Sequence, residues 1–203
     1  MTIEAVIFDL GRVLVDVVIS DEFRSALDWP PAPANDGGRR RRVFERLYQD
    51  FSTGRLTAEQ FHRHLCRESG QKIEFGDFQR LWCSLVHTLP GAEELFDRVA
   101  RRWPVGLLSD TDPLHWQHVL EHHPFVGRIS RPTLSFRIGV MKPDPRAFRA
   151  AADNVGCPPP ACLFIDDKPE NVVGAEKLGM QGLVFQGTAE LQQQLERLGL
   201  LSG

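Results

Sequence analysis

The sequence predicts an α/β protein: a doubly wound, Rossmann-like parallel sheet as the core, with an all-helical cap inserted into it. Three observations predict this. Short apolar runs at 5–8, 105–109 and 161–165 show no polar alternation, as expected of strands covered on both faces. Helical segments separate those runs, the arrangement that yields βαβ units. The stretch between the first strand and residue 88 carries helical periodicity and no strand signal. The expected division is therefore a core of residues 1–16 and 88–203 and a cap of residues 17–87.

Composition bounds the function. A chain of 203 residues can hold one large domain or a domain with a sizeable insertion. With 42% hydrophobic and 25% charged residues it has the make-up of an ordinary soluble globular protein. A net charge of -3 gives no general reason to expect nucleic-acid or membrane partners. No apolar run approaches the roughly 18 residues of a membrane span, and the N-terminus enters a strand, with Glu4 inside it, without the look of a signal peptide. Cys66, Cys83, Cys157 and Cys162 form no CxxC pair, so reduced thiols and a cytoplasmic location are expected. Monomer and homodimer are equally compatible with the sequence.

The elements follow in order. Ala5-Val6-Ile7-Phe8 is a buried strand that ends at Asp9, with Gly11 two residues later. Ser20-Asp21 caps a helix over 21–27, which stops before the proline-rich Trp29 to Pro33 and the Asn35-Asp36-Gly37-Gly38 turn. Val43, Phe44, Leu47, Tyr48 and Phe51 recur at helical spacing until Ser52-Thr53-Gly54 breaks the pattern. Thr57-Ala58-Glu59-Gln60 resembles a capping box and opens a third helix, and a fourth covers 75–85. From 89 the α/β pattern returns with a helix over 92–101, a strand over 105–109 and a helix over 114–122. A strand is expected at 129–134. Met141-Lys142-Pro143-Asp144-Pro145 opens a helix to about 154, and a strand over 161–165 ends in Asp166-Asp167. A helix over 170–178 stops at Gly179, followed by a strand over 181–185 and a helix over 188–198.

Three strand ends thus present polar groups to one edge: Asp9, Ser109 and the pair Asp166-Asp167, with Lys142 at a helix entrance in the same half of the fold. In a parallel sheet this edge is where ligands bind. Three crowded carboxylates are costly unless a cation or a shared proton relieves them. A hard divalent ion such as Mg²⁺, with oxygen ligands, is the natural relief. Ser109 and Lys142, with backbone N–H groups of the Gly11-Arg12 and Asp110-Thr111 turns, make a cradle for a tetrahedral dianion. Metal, anion site and carboxylate nucleophile together suggest phosphoryl transfer through an aspartyl-phosphate.

Phe8-Asp9-Leu10-Gly11-Arg12-Val13-Leu14, Leu107-Leu108-Ser109-Asp110-Thr111, Met141-Lys142-Pro143 and Phe164-Ile165-Asp166-Asp167 resemble the four ordered motifs of haloacid dehalogenase-like hydrolases. The resemblance spans nearly the whole chain, and a helical cap after the first motif is a feature of that family. It implies Asp9 as nucleophile and a Mg²⁺ site formed by Asp9, the Gly11 carbonyl, Asp166 and Asp167. It implies Ser109 and Lys142 as holders of phosphoryl oxygens, with Lys142 also neutralising Asp9. The implied substrate is a small soluble phosphomonoester.

The chain departs from the family pattern twice. Family phosphatases usually carry a second Asp two positions after the nucleophile as general acid and base, and here that position is Gly11. Loss of such a group costs about 10²–10⁴ in rate, and Arg12 does not release a proton near neutral pH. Substrates with good leaving groups, such as anomeric sugar phosphates, would suffer least. Asp110 stands where relatives commonly have Asn. Two other classes therefore stay open: a metal-independent 2-haloacid dehalogenase, for which Gly11 is harmless, and a catalytically impaired ligand-binding descendant. Asn171 is read either as a support for the acidic pair or as a surface residue. His115, His118, His122 and His123 are read as surface or cap contacts, Arg39 to Arg42 as a mostly solvated face, and Trp82, Trp103 and Trp116 as packing.

Overall fold

The computed structural model describes residues 2–27 and 38–201; the expected proline-rich loop from Trp29 and most of the turn that follows it lie outside the described residues. The chain opens with β1 (Ala5–Phe8), β2 (Val15–Val17), α1 (Asp21–Leu27), α2 (Arg39–Ser52), α3 (Ala58–Ser69), α4 (Phe75–Cys83) and β3 (Val86–Thr88). It continues with α5 (Ala92–Ala100), β4 (Val105–Ser109), α6 (Pro113–His122), β5 (Thr133–Leu134), α7 (Ser135–Ile138) and α8 (Pro145–Val155). β6 (Cys162–Asp166), α9 (Pro169–Glu176), β7 (Gln181–Val184) and α10 (Thr188–Arg197) complete it.

Five strands form one sheet in the order β5-β4-β1-β6-β7, with every pairing parallel. β1 lies at its centre, and its alternate side chains face opposite ways. Val6 and Phe8 join one buried cluster with Leu95 and Val99 of α5, Val119 of α6 and Leu195 of α10. Ala5 and Ile7 join the other, with Ala147, Phe148 and Ala151 of α8 and Ala175 of α9. Helices therefore cover both faces, and this is the doubly wound α/β fold expected from unalternating apolar strands.

Between β2 and β3, helices α1 to α4 bury a separate aromatic cluster that includes Phe23, Phe51, Phe61, Phe78 and Trp82. Thr57 makes the expected capping box, with its hydroxyl accepting from the Gln60 N–H and Gln60 Oε1 accepting from the Thr57 N–H.

Four local expectations are corrected. β2 and β3 form an antiparallel ribbon, Val15 opposite Thr88 and Val17 opposite Val86, where no strand was expected short of residue 89. The fourth helix ends at Cys83, since the chain must extend to reach β2. The strand expected at 129–134 is only Thr133–Leu134, preceded by a 3₁₀ turn over Val126–Arg128. Pro132 has no N–H to donate and confines that edge ladder to its last two residues. The helix after Lys142 starts at Pro145, because Asp144 accepts from the Arg146 N–H as its cap and proline is pre-shaped for the first helical position.

Candidate active site

Strand register builds the site. Phe8 lies level with Leu107 on one side and Ile165 on the other. The next residue, Asp9, therefore emerges beside Asp166, the last residue of β6, and the Asp9 N–H donates to the Ile165 carbonyl at 2.8 Å. Ser109 closes β4 on the opposite side. The turn after Asp9 is tight. Arg12 has φ 61°, uncommon for a residue with a side chain, and the Leu14 and Val15 N–H groups donate to the Leu10 carbonyl.

Lys142 reaches into this edge from the loop before α8. Its Nζ donates to Asp9 Oδ1 at 2.6 Å, Asp166 Oδ2 at 2.7 Å and the Leu108 carbonyl at 3.1 Å. Asp110 Oδ1 accepts from the Lys142 backbone N–H at 3.0 Å and holds that loop in place. Burial alone would lower the Lys142 pKa, but the Asp9, Asp110 and Asp166 carboxylates outweigh it and keep the amine charged. Burial pushes the Asp9 carboxyl up to about 7; Lys142 opposes this and Asp166 adds to it. Burial likewise raises Asp110, against the pull of Lys142.

Asp166 is fully buried and fully partnered. Its oxygens accept from the Lys168 N–H at 2.8 Å and from Asn171 Nδ2 at 3.0 Å each. Asn171, left between two readings by the sequence, is thus a buried support of the acidic pair. Asp167 is partly exposed, 3.6 Å from the Arg12 guanidinium.

Carboxylate oxygens of Asp9, Asp166 and Asp167 lie within 4.8 Å of one another. With Asp110 close by, the negative groups outnumber the one buried ammonium. An all-oxygen, net-negative donor set of this kind fits a hard divalent cation such as Mg²⁺.

A cleft of about 210 Å³ opens over these groups, lined by Asp9, Gly11, Asp110, Lys142 and Asp167, with Tyr48 entering from α2. Asp9 is only 8% exposed, at its floor. Ser109 is buried and is not among the residues that line the cleft. The Arg12 side chain is 59% exposed and lines the cleft rim. Two backbone donors expected to meet an anion are already engaged: the Arg12 N–H donates to the Val15 carbonyl, and the Thr111 N–H to Ser135 Oγ.

Sequence reasoning missed Tyr48 and Ser135, and read His115 as a surface or cap contact without its ion pair to Asp112. Tyr48 read only as one more residue on a helical face. Ser135 Oγ accepts from the Thr111 N–H and donates to the Thr111 carbonyl, pinning the turn after β4. His115 lies against Asp112 and Trp82, the contact between the helical segment and α6.

A Rossmann-like sheet with an aspartate, a serine and an acidic pair at three adjacent strand ends defines a class of α/β hydrolases. The model of the haloacid dehalogenase-like hydrolases matches residues 3–179, and the chain belongs to that family. Flavin mononucleotide hydrolase 1 of Arabidopsis thaliana is 25% identical over 192 residues, covering 92% of this chain and 76% of the relative. The HAD family enzyme BT-2542 of Bacteroides thetaiotaomicron superposes with a TM-score of 0.83 at 19% identity, covering 96% of this chain and 99% of that one. That enzyme has also been solved with magnesium and inorganic phosphate. L-2-haloacid dehalogenase of Xanthobacter autotrophicus superposes at 0.62 and 18% identity, over 97% of this chain and 83% of that one. At these identities the structural likenesses speak for the fold.

Proposed function

We propose that the protein is a Mg²⁺-dependent phosphatase of a small soluble phosphomonoester, acting through an aspartyl-phosphate on Asp9. The carrying observation is the Lys142 ammonium bridging Asp9 and Asp166, with Asp167 completing the oxygen cluster. Asp9 attacks phosphorus in line; an Asp9 O–P bond forms and the P–O bond to the leaving group breaks. Lys142 favours the ionised form of Asp9, aims it, and offsets charge on the phosphoryl oxygens. Water then hydrolyses the acyl phosphate, releasing phosphate and regenerating the Asp9 carboxylate. A Mg²⁺ held by Asp9, the Gly11 carbonyl, Asp166 and Asp167 would supply Lewis-acid neutralisation of the substrate's negative charge.

Residues 17–87 act in this reading as a cap that closes over the cleft, with Tyr48 as its contribution. The name of the Arabidopsis relative and the magnesium and phosphate bound to BT-2542 support the substrate class and the cofactor. The substrate is a free small molecule rather than nucleic acid. No helix among the described residues is long and apolar enough to cross a membrane. The four cysteines are free, in keeping with a reducing, cytoplasmic setting.

Gly11 favours one second reading, a metal-independent 2-haloacid dehalogenase, because halide leaves without a proton. The Asp166-Asp167 pair beside Asp9, costly without a cation, weighs against it. Phosphate release from a panel of phosphomonoesters, with Mg²⁺ and with chelator, beside halide release from 2-haloacids, separates the two. Release that needs Mg²⁺ and falls by several powers of ten in Asp9→Asn is expected; phosphate release untouched by chelation would overturn the proposal.

A further inference from the structure

Two cations line the catalytic cleft whose side chains the chemistry above does not use, Arg12 and Lys168. The backbone under each is held. The Lys168 N–H donates to Asp166 Oδ1 at 2.8 Å, and the Lys168 carbonyl accepts from the Asn171 N–H at 3.0 Å. Arg12 sits at φ 61°, a left-handed conformation that glycine or asparagine adopts at less cost. Residues kept at such a cost cluster at active sites and ligand clamps.

The two side chains, by contrast, are not tied down. Arg12 Nη1 is 3.6 Å from Asp167 Oδ2, too far for a hydrogen bond, and more than half of that side chain is exposed. Lys168 is exposed, and among the described residues its ammonium has neither a hydrogen bond nor an ion pair. It nevertheless acts on the cleft: burial raises the Asp110 carboxyl, and Lys168 is among the cations that oppose this. A guanidinium fork and an ammonium at one rim suit a carboxylate or a phosphate.

We propose that Arg12 and Lys168 hold a second anionic group, a carboxylate or a second phosphate, on the phosphomonoester that Asp9 attacks. The inference deepens the phosphatase reading and rests on it. In that reading the phosphoryl group lies on the cleft floor against Asp9 and Lys142, so an anion on a short chain ends at the rim. At about 210 Å³ the cleft is smaller than the roughly 300–1,000 Å³ of pockets for drug-sized ligands, which limits that chain to a few atoms. A neutral tail would gain nothing from the two charges. The adjoining cleft of about 530 Å³, which shares Tyr48 and Lys142, offers no such pair, because its Arg41 is bound to Glu45 at 2.9 Å. Asp167 is the acid beside Arg12, and a divalent ion on the acid cluster would take up its charge.

The test uses phosphonates, which bind without reacting, so that leaving-group chemistry has no influence. Calorimetry on the Mg²⁺-loaded protein compares propylphosphonate, 3-phosphonopropanoate and ethane-1,2-diylbisphosphonate, which are alike in length and differ in charge at the far end. At least one charged tail is expected to bind about tenfold more tightly than the neutral one; which of them does so tells carboxylate from phosphate. Arg12→Gly and Lys168→Gln each remove most of that preference, Lys168→Arg keeps it, and added salt shrinks it. Arg12→Gly relieves the left-handed backbone and should melt no lower than the wild-type protein, which separates lost binding from unfolding. Equal binding of charged and neutral tails, or a preference that survives in both Arg12→Gly and Lys168→Gln, overturns the second anion site. Mg²⁺-dependent phosphate release from acetyl phosphate would then still uphold the phosphatase. Absence of that release overturns both.

Discussion

His115 Nδ1 stands 2.8 Å from Asp112 Oδ2 in a largely buried ion pair at the start of α6. The other ring nitrogen, Nε2, lies 2.8 Å from the Trp82 carbonyl oxygen. Both partners are acceptors, so both nitrogens must donate and the ring is an imidazolium. Burial alone would lower the His115 pKa, but Asp112 and the Trp82 carbonyl outweigh it and raise it. Burial would raise Asp112, but His115 and the Trp82 indole outweigh it and hold the carboxyl below its usual value. Trp82 Nε1 also donates to Asp112 Oδ2 at 3.1 Å, so the pair ties α4 to α6.

The pair makes stability depend on pH. A raised His115 contributes fully below its unfolded value of about 6.5 and loses that contribution as pH rises through the folded value. A lowered Asp112 contributes fully above about 3.9 and loses its share as pH falls through the folded value. The pair is at full strength between about pH 4 and 6.5. His115→Ala, which leaves Asp112 buried without its cation, is expected to cost about 3–5 kcal/mol at pH 5.5. The gap should narrow by pH 9, measured by urea unfolding of both proteins; an equal gap at the two pH values would sink the assignment.

Asn171 donates to both oxygens of Asp166 and thereby sets how that carboxylate faces the Asp9–Asp167 cluster. Asn171→Ala frees the carboxylate to rotate without removing it. Outer supports of this kind are worth about 10–100-fold in metal affinity. Calorimetric titration with Mg²⁺ should show a weakening of that size, and saturating Mg²⁺ should recover most of kcat. Unaltered Mg²⁺ binding would make Asn171 a packing residue only.

Gly54, in the turn between α2 and α3, lies against the backbone of α7. A Cβ there would lie 2.4 Å from the Phe136 carbonyl oxygen, and the backbone has φ +72°. Gly70 has nearly the same φ, +75°, with nothing within 4 Å. Gly70→Ala should therefore carry only the left-handed strain of about 1–2 kcal/mol. Gly54→Ala should exceed it by a further 1–3 kcal/mol, roughly the cost of overpacking, and should raise KM as α2 and Tyr48 shift. Equal losses of thermal stability in the two variants would show that the close approach does not matter.

What could be read from the sequence was what is local along the chain. Ala5 to Phe8 followed by Asp9, and Cys162 to Ile165 followed by Asp166, announce themselves as apolar runs ending in acids, and parallel pairing then brings the acids together. The β2–β3 ribbon was invisible, because three-residue strands about seventy positions apart carry no periodicity of their own. Tyr48 and Phe44 read as helical, but spacing alone cannot say that they border a cleft as well as the aromatic cluster, while Leu47 and Phe51 lie buried. Asp112 and His115 share the first turn of α6, but Trp82 comes from α4, and only their meeting in space turns one histidine among four into a largely buried cation.

On the phosphatase reading, Gly11 is the position expected to limit the rate. It lines the cleft beside Asp9, and a Cβ built on it would sit 3.4 Å from Val17 Cγ2, an ordinary contact. Its backbone lies outside the left-handed region that Arg12, the next residue, occupies, so Gly11→Asp should fold. The new carboxyl would stand where family phosphatases carry their acid and base. Alkyl phosphomonoesters, whose leaving oxygen needs a proton, should gain up to about 10²–10⁴ in kcat, and acetyl phosphate, which needs none, should gain little. A plot of log kcat/KM against leaving-group pKa should be steep for the wild-type protein and flatter for the variant. A wild-type plot that is already flat would mean that another group supplies the proton. A folded, Mg²⁺-saturated variant with no gain on alkyl substrates would show that the missing acid is not what limits turnover.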